Sequence, residues 1–241
     1  MPYGNHSSHP RFFGFVPGTT SPLSWLGDII TTAYNRHGGS VANQPGIWRA
    51  EQRLTRWLCD AAGFPETAGG TFVSGGSMAN LTAMTAARDH LLSEEEWHMG
   101  TAYVSDQTHS SVAKGLRILG IGNSRIRVIP TDDRFCMVTD LLEKAIKEDI
   151  RKGFRPFIAI ASAGTTNTGS VDDFGRIRRI CDKYDMWMHV DGAFGASVLL
   201  SQKYRKELDG IEKADSLSWD AHKWLFQTFG CGIVLVRDQK H

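Results

Sequence analysis

Short apolar segments that alternate with helix-forming segments constrain the fold of this chain more than any other feature. Seven segments are predicted to be strands: TFVS (71–74), TAYVS (101–105), RIRVIP (125–130), PFIAIAS (156–162), MWMHV (186–190), ADSLS (214–218) and GIVLVR (232–237). Helices between them are predicted to begin near Ser77, Thr108, Thr139 and Asp173. Near-continuous apolar strands separated by helices are typical of a mainly parallel sheet that is covered on both faces. The sequence therefore predicts an α/β fold.

The N-terminal part of the chain has a different character. Residues 1–46 are rich in Gly, Pro and Ser, with one predicted helix from about Ser24 to Tyr34. From Ile47 the segment IWRAEQRLTRWLCDAAGF indicates an amphipathic helix, with Leu54, Trp57 and Leu58 on one face. We therefore divide the chain into an N-terminal segment, 1–46, and a larger body, 47–241.

Charge and composition exclude several classes of partner. The 241 residues carry 27 Lys and Arg against 26 Asp and Glu, and the resulting net charge of +1 indicates no nucleic-acid partner. The sequence contains no apolar run of about 18 residues, so no membrane-spanning helix is predicted. The first residues, MPYGNHSSHPRFFGF, do not resemble a signal peptide, so we expect a cytoplasmic protein. The spacing of the four cysteines fits no zinc pattern, and no metal site is predicted.

Polar and small residues follow the predicted strands. The segments are GGSMAN, DQTHSS, AGTTNTG, DGAFGA and WDAHKW. In open α/β sheets ligands bind beyond the carboxyl ends of the strands. We therefore expect these five segments to converge on one ligand site.

The segment TFVSGGSMANL reads as a strand, a glycine-rich turn and a helix. Such a turn directs backbone N–H groups and a helix N-terminus at one point, which suits a phosphate group. An ordinary tight turn with Ser77 as N-cap explains the pattern equally well. A serine hydrolase is a second alternative, because GGSMA is close to the G-x-S-x-G elbow and Ser77, Asp191 and His222 occur in the hydrolase order. Against it, Ala79 stands where that motif has glycine.

Two ionisable residues lie in apolar surroundings near the ends of strands. Asp191 follows MWMHV, where a carboxylate is costly unless it is paired, so it is either a capping residue or the partner of a cationic ring nitrogen. Lys223 lies in the apolar and aromatic stretch ADSLSWDAHKWLF, where desolvation lowers the pKa of an amine and makes it available for a Schiff base. A lysine stem that reaches solvent is the alternative interpretation.

His109 and Thr165 complete a set. An imidazole beside the predicted site would stack on an aromatic ligand, and a threonine hydroxyl would bond to a ring substituent, although a satisfied histidine and ordinary turn chemistry are open alternatives. A phosphate-binding turn, a buried carboxylate, an imidazole and a desolvated lysine together match a pyridoxal 5'-phosphate (PLP) site.

The segments SGGSMANLTAM, SDQTHSSV, AGTTNTGSVD, HVDGAFGA and DAHKW, in this order, resemble the group II PLP-dependent amino-acid decarboxylases, which include aromatic-L-amino-acid and glutamate decarboxylases. The resemblance implies the large domain of fold type I PLP-dependent enzymes, with a seven-stranded sheet. It also implies that Lys223 forms the Schiff base, that Asp191 pairs with the pyridine nitrogen and that His109 stacks on the ring. The remaining cofactor-binding positions that it implies surround the phosphate, the ring oxygen and the lysine: Gly76, Ser77, Met78, Thr165, Ala193, Asp220 and His222.

The resemblance implies decarboxylation of an L-amino acid to the amine and CO2. In the N-terminal segment, RFFGFVPG resembles the part of the family that lines the substrate pocket, with Phe15, Val16 and Pro17 as candidates, and it favours an aromatic side chain. Glutamate-, sulfinoalanine- and diaminobutyrate-type substrates are alternatives, and so is a PLP-binding fragment that is inactive alone.

The chain continues only to His241, so we expect the small C-terminal domain of the family, and the loop that carries its catalytic tyrosine, to be absent. We expect a homodimer or a complementing C-terminal chain as partner.

Overall fold

The structure of the protein is a computed structural model that describes residues 6, 9–12, 14–16 and 18–241. The α-helices in this part are α1 (Pro22–Tyr34), α2 (Pro45–Ala61), α3 (Gly76–Leu91), α4 (Ser110–Ile118), α5 (Thr139–Arg151) and α6 (Phe174–Tyr184). The strands are β1 (Gly69–Val73), β2 (Gly100–Ser105), β3 (Ile126–Ile129), β4 (Arg155–Ser162), β5 (Trp187–Asp191), β6 (Ser216–Asp220) and β7 (Gly232–Val236). Short 3-10 helices are Glu94–Met99, Asn123–Arg125, Gly195–Leu200, Arg205–Leu208 and Ile211–Lys213.

The seven strands of the described residues form one sheet in the order β1-β7-β6-β5-β4-β2-β3. Strands β3, β2, β4, β5 and β6 run parallel to one another, and β7 is antiparallel to both β6 and β1. The predicted α/β fold with a mainly parallel seven-stranded sheet is confirmed. Helix α4 begins two residues later than predicted, at Ser110, because the Thr108 hydroxyl accepts a hydrogen bond from the Ser105 N–H and closes a turn after β2.

Helices cover both faces of the sheet. On one face α3 and α4 bury Met84 and Val112 against Ile158 and Ile160 of β4, and on the other face α2, α5 and α6 enclose a second cluster that includes Ala161 of the same strand. Alternate residues of β4 thus point into two apolar cores. This is why the strand reads as a continuous apolar run in the sequence.

The two N-terminal helices form as predicted but are poorly covered. Along α1 only Ser24 is buried, and Leu23 and Ile29 are 78% and 65% exposed. The predicted apolar face of α2 is wrong in part: Leu58 is buried, whereas Leu54 and Trp57 are about half exposed. The sheet contacts a neighbouring line of α2 that includes Leu58 and Cys59, because α2 packs against β1, the strand at the edge of the sheet.

None of the described helices is both long enough and apolar enough to cross a membrane.

A buried ion pair fastens the β3 edge of the sheet to α5. The Asp149 carboxylate is 1% exposed; it accepts hydrogen bonds from Arg127 Nε at 2.8 Å and from the Tyr103 hydroxyl at 2.7 Å. Burial raises the pKa of Tyr103, so this hydroxyl stays a donor. The contact joins α5 to both β2 and β3, the strands at this edge.

We expect Asp149→Asn to lower the free energy of unfolding by about 3 kcal/mol, because breaking a buried pair leaves Arg127 without its counter-ion. Urea unfolding of the chain measures the change. The matched control is Glu148→Gln, which removes a charge from the preceding residue of α5, where no ion pair forms with any described residue. Equal losses in the two variants would contradict a structural role for the pair.

Candidate active site

A cavity of about 310 Å³ lies beyond the carboxyl ends of β4, β5 and β6, beside the N-terminus of α3. Its size falls at the lower end of the range of ligand pockets. Ten residues predicted to bind or act with a cofactor all line it: Gly76, Ser77, Met78, His109, Thr165, Asp191, Ala193, Asp220, His222 and Lys223.

The N-terminus of α3 is open toward the cavity. In the described part of the chain, the N–H groups of Gly76 and Ser77 meet no hydrogen-bond acceptor, whereas the Met78 N–H already donates to the Gly75 carbonyl at 3.0 Å. A Cβ atom on Gly76 would lie 2.7 Å from Asp220 Oδ2, so the close approach here requires glycine. The free N–H groups and the helix dipole favour an anion at this point. The sequence predicted an anion site formed by the N–H groups of Gly76, Ser77 and Met78. Of these three groups, only those of Gly76 and Ser77 are free to bind an anion in the described part of the chain.

Asp191 ends strand β5 at the floor of the cavity. Its Oδ1 atom accepts hydrogen bonds from the Ser218 hydroxyl and the Ala193 N–H, both at 3.2 Å, and its Oδ2 atom accepts from Asn80 Nδ2 at 2.9 Å. Parallel pairing of β5 with β6 sets Asp191 opposite Ser218. The carboxylate is thus held by three protein donors and still borders the cavity.

Lys223 lies in the turn after β6 and points into the cavity. Its Nζ atom is 3.0 Å from Oδ2 of Asp220, a carboxylate that is only 2% exposed. The other carboxylate oxygen of Asp220 is buried and finds no hydrogen-bond partner among the described residues. An amine held on a buried carboxylate at a cavity wall does not match a lysine stem that reaches bulk solvent.

His222 does not join a hydrolase triad. Its Nδ1 atom contacts the Cys231 carbonyl at 3.0 Å, the position that a triad carboxylate would occupy. Asp191 instead bonds to Asn80, Ser218 and Ala193. The serine hydrolase alternative is therefore not supported, although its three residues border one cavity.

His109 and Thr165 occupy the cavity wall. His109 caps α4, and its Nδ1 atom lies 2.8 Å from the Ser111 hydroxyl. The Thr165 hydroxyl contacts those of Thr168 and Ser170 at 2.6 and 3.1 Å. Turn chemistry accounts for the Thr165 contacts, and the predicted roles of both residues toward a ring stay predictions.

The N-terminal segment reaches the site through its backbone. Of the three predicted substrate-pocket residues, Phe15 is 80% exposed and Val16 is partly buried; neither lines the cavity, and Pro17 lies outside the described residues. Gly18 instead packs on the backbone of Lys223, so closely that a Cβ atom there would overlap the Lys223 carbonyl oxygen. Three residues later the Ser21 N–H donates to the Phe226 carbonyl at 2.9 Å. These contacts hold the lysine-bearing turn against the N-terminal segment.

The sequence analysis missed Asn80 and Ser218. Asn80 is 1% exposed in the middle of the apolar face of α3, and Ser218 is fully buried in β6. A polar residue on an otherwise apolar face is the signal that could have identified them. Periodicity alone gives no reason to connect either one with Asp191.

The comparisons with known proteins agree with this geometry. The model of the family described as "pyridoxal-dependent decarboxylase conserved domain" matches residues 1–241. An aromatic-L-amino-acid decarboxylase from Bacillus atrophaeus is 42% identical over 236 residues, which cover 98% of this chain and 49% of the relative. The chain spans about half the length of the curated relatives it matches.

Two solved structures are similar along nearly the whole chain. Tryptophan decarboxylase from Catharanthus roseus, in complex with L-tryptophan, has a TM-score of 0.94 and 30% identity, covering 100% of this chain and 54% of its own. The glutamate decarboxylase domain of diaminobutyrate-pyruvate transaminase and L-2,4-diaminobutyrate decarboxylase from Vibrio parahaemolyticus has a TM-score of 0.92 and 29% identity, covering 97% and 53%.

We expect Gly18→Ala to loosen the Lys223 turn, because the added Cβ displaces the Lys223 carbonyl. Hydrogen–deuterium exchange read by mass spectrometry should show faster exchange across residues 221–229. Gly46→Ala is the matched control, since a Cβ atom there meets nothing within 4 Å. Unchanged exchange in Gly18→Ala would mean that the N-terminal segment does not hold the turn.

Proposed function

The chain belongs to the pyridoxal-dependent decarboxylase family, and from that premise we propose that it carries the cofactor site of an enzyme that removes the α-carboxylate of an L-amino acid. The observation that carries the proposal is the placement of Lys223 on buried Asp220, across the same cavity from Asp191 and the open end of α3. Amine, carboxylate and anion site are the three protein groups that PLP requires.

The residues present fit PLP. The free N–H groups of Gly76 and Ser77 would hold the phosphate, and the small Ala193 leaves room for a flat ring beside Asp191. Within the described chain, the unpartnered Asp220 oxygen gives the site a further acceptor at the lysine. The cofactor is therefore proposed to be bound between α3, β5 and the Lys223 turn.

Each side chain has a proposed task. When bound, PLP supplies an electron-withdrawing ring that accepts the electron pair released as the bond from Cα to the carboxylate breaks. Lys223 provides the amine that attaches the cofactor, and Asp220 holds that amine in place. Asp191 would accept a hydrogen bond from the protonated ring nitrogen. His109, on the cavity wall, would pack against the ring.

An L-amino acid with an aromatic side chain is the proposed substrate. Phe194 and Phe229 both line the cavity, and Lys223 is the only Lys or Arg among the described lining residues. A distal carboxylate on the substrate would thus find no free arginine or lysine here. The 42% identical relative is an aromatic-L-amino-acid decarboxylase, which supports the same choice over an acidic substrate.

With PLP added to the purified chain, we expect a visible absorption band that borohydride bleaches, and peptide mass mapping should find the pyridoxyl group on Lys223. The Schiff base between the cofactor and the Lys223 amine is the physical reason. Lys223→Ala should lose both signals, and Lys114→Ala, which removes a lysine outside the cavity lining, should keep both. Labelling of other lysines alone would overturn the cofactor site.

Carbon dioxide release separates the remaining alternatives. Release from L-tryptophan or L-tyrosine, but not from L-glutamate, would support the proposed substrate, and the reverse would support an acidic one. Cofactor on Lys223 without any release would identify a PLP-binding chain that needs further residues for the reaction.

A second copy of the chain is the proposed partner. Leu23, Trp25 and Ile29 of α1, together with Trp48 and Trp57 of α2, expose large apolar side chains. Large apolar side chains exposed in this number indicate a surface that another chain covers. We propose that residues 1–46 serve as an association segment, to which the exposed side of α2 adds, and that residues 47–241 form the cofactor-binding body. The cytoplasm remains the proposed compartment on the basis of the sequence alone.

Sedimentation equilibrium should give twice the mass of the chain. Ile29→Lys should shift the equilibrium toward the single chain, because it places a charge inside the proposed apolar contact. Val128→Lys, at a 61% exposed position on the other edge of the sheet, is the matched control and should remain dimeric. A wild-type chain that sediments at the single mass would contradict self-association and favour a complementing chain.

A further inference from the structure

A row of polar side chains continues from Asp191 into the protein interior, on the sheet face that α3 covers. Asn80, His189 and Ser216 are 1%, 0% and 0% exposed. His189 Nε2 lies 2.9 Å from Asn80 Oδ1, and His189 Nδ1 lies 2.8 Å from Ser216 Oγ. Trp187 Nε1 donates to Ser216 Oγ at 2.7 Å. Buried polar groups that are fully hydrogen-bonded add little net stability compared with apolar side chains. We therefore look for the role of this row in its effect on Asp191, the cavity carboxylate at its end.

The direction of each hydrogen bond follows from the groups at the two ends. The Asp191 carboxylate accepts, so the Asn80 atom that faces it is the NH2 group and the Asn80 carbonyl faces His189. His189 Nε2 must therefore carry a hydrogen. At the far end the Trp187 indole N–H can only donate, and the Ser216 oxygen accepts from it. The Ser216 hydroxyl hydrogen is therefore directed elsewhere.

His189 is neutral in this environment. Burial lowers the pKa of His189 to about 4, against smaller opposing effects of the Asp191 charge and of a hydrogen bond to the Ser216 backbone. With its hydrogen on Nε2, the ring presents a bare Nδ1 atom that accepts from the Ser216 hydroxyl. Every hydrogen bond from Trp187 to Asp191 then points the same way.

We propose that Asn80, His189 and Ser216 are positioning residues that hold the Asp191 carboxylate as a hydrogen-bond acceptor, with His189 in the Nε2–H tautomer. The inference rests on the proposed function, in which Asp191 accepts from the protonated ring nitrogen of PLP. A carboxylate that is surrounded only by donors receives no proton from the protein, and the lone pair that its three protein donors leave free can accept from the ring nitrogen.

A proton on Asp191 Oδ2, the oxygen that faces Asn80, would require the row to reverse. The Asn80 amide would turn, His189 would carry its hydrogen on Nδ1, and Ser216 would receive donors from both His189 and Trp187. Its own hydroxyl hydrogen would then lose the His189 acceptor in a fully buried place. The Trp187 indole thus disfavours the reversed state, and the His189 tautomer reports which state is present.

Asn80 also connects Asp191 to His109. Its NH2 group lies 3.4 Å from the Ser111 hydroxyl, which in turn contacts His109 Nδ1 at 2.8 Å. The Ser111 N–H also donates to His109 Nδ1, at 3.3 Å, so this imidazole presents its Nε2 atom to the remaining surroundings. One amide therefore orients both side chains that are proposed to contact the ring.

The first test needs no cofactor and no variant. In the chain labelled with 15N at histidine, the His189 ring nitrogens should show a hydrogen on Nε2 and a bare Nδ1 at about pH 7. A hydrogen on Nδ1, or on both nitrogens, would overturn the proposed direction of the row.

The second test uses PLP labelled with 15N in its ring. The ring nitrogen should be protonated in the wild-type chain and less protonated in Asn80→Leu and His189→Phe, with PLP affinity roughly tenfold weaker after loss of a hydrogen bond to a charged group. His189→Gln retains a donor toward Asn80 and should stay closer to wild type than His189→Phe. Ile160→Val, opposite His189 in strand β4, controls for a general core defect and should leave the ring nitrogen unchanged.

The two proposals fail in different ways. If the wild-type chain does not attach PLP to Lys223, the proposed function fails, and the His189 tautomer still decides whether the row points at Asp191. If PLP is trapped on Lys223 and the ring nitrogen is equally protonated in Asn80→Leu and wild type, the positioning role is wrong while the cofactor site stands.

Discussion

Two carboxylates at the ends of adjacent parallel strands are the constraint on which the rest of the site depends. Asp191 ends β5 and Asp220 ends β6, so the parallel register places both at the same edge of the sheet. A buried carboxylate is costly unless donors surround it. For Asp191, helix α3 supplies a donor in the Asn80 side chain. For Asp220, the turn after β6 supplies a donor in the Lys223 amine.

The sequence of α3 makes this possible. Ala79, Ala83 and Ala87 are fully buried and recur every four residues, so one line of the helix presents only methyl groups to the sheet. The close approach that small residues permit lets the short Asn80 side chain reach Asp191 and His189. The same placement brings the open N-terminus of α3 to the cavity, where its first N–H groups face the site. One helix therefore supplies both the anion site and the support of the proposed ring partner.

The N-terminal helices are poorly covered, although the segment before them contacts the turn that carries Lys223. Helices α1 and α2 keep much of their apolar surface exposed, yet Gly18 and Ser21 are docked on the Lys223 turn. The N-terminal segment touches the turn that carries the proposed catalytic amine. If a second copy packs on α1 and α2 as proposed, burial of the apolar side chains of these helices would stabilise the segment that holds Gly18 against Lys223.

The sequence by itself determined the fold class and the approximate strand and helix positions, because periodicity is a local pattern, and the strand-end rule located the five polar segments that meet at the cavity. Its motifs, and the family that they resemble, singled out ten of the residues that line the cavity. It also led to the resemblance that the family match confirms. Only the tertiary structure decided that Asn80, His189 and Ser216 form one row, because these residues come from three elements that are far apart in the chain and meet only when α3 crosses β5 and β6. It also decided that Phe15 is exposed and does not line the cavity and that Asp191 does not bond to His222, since these outcomes depend on side-chain positions that no spacing specifies.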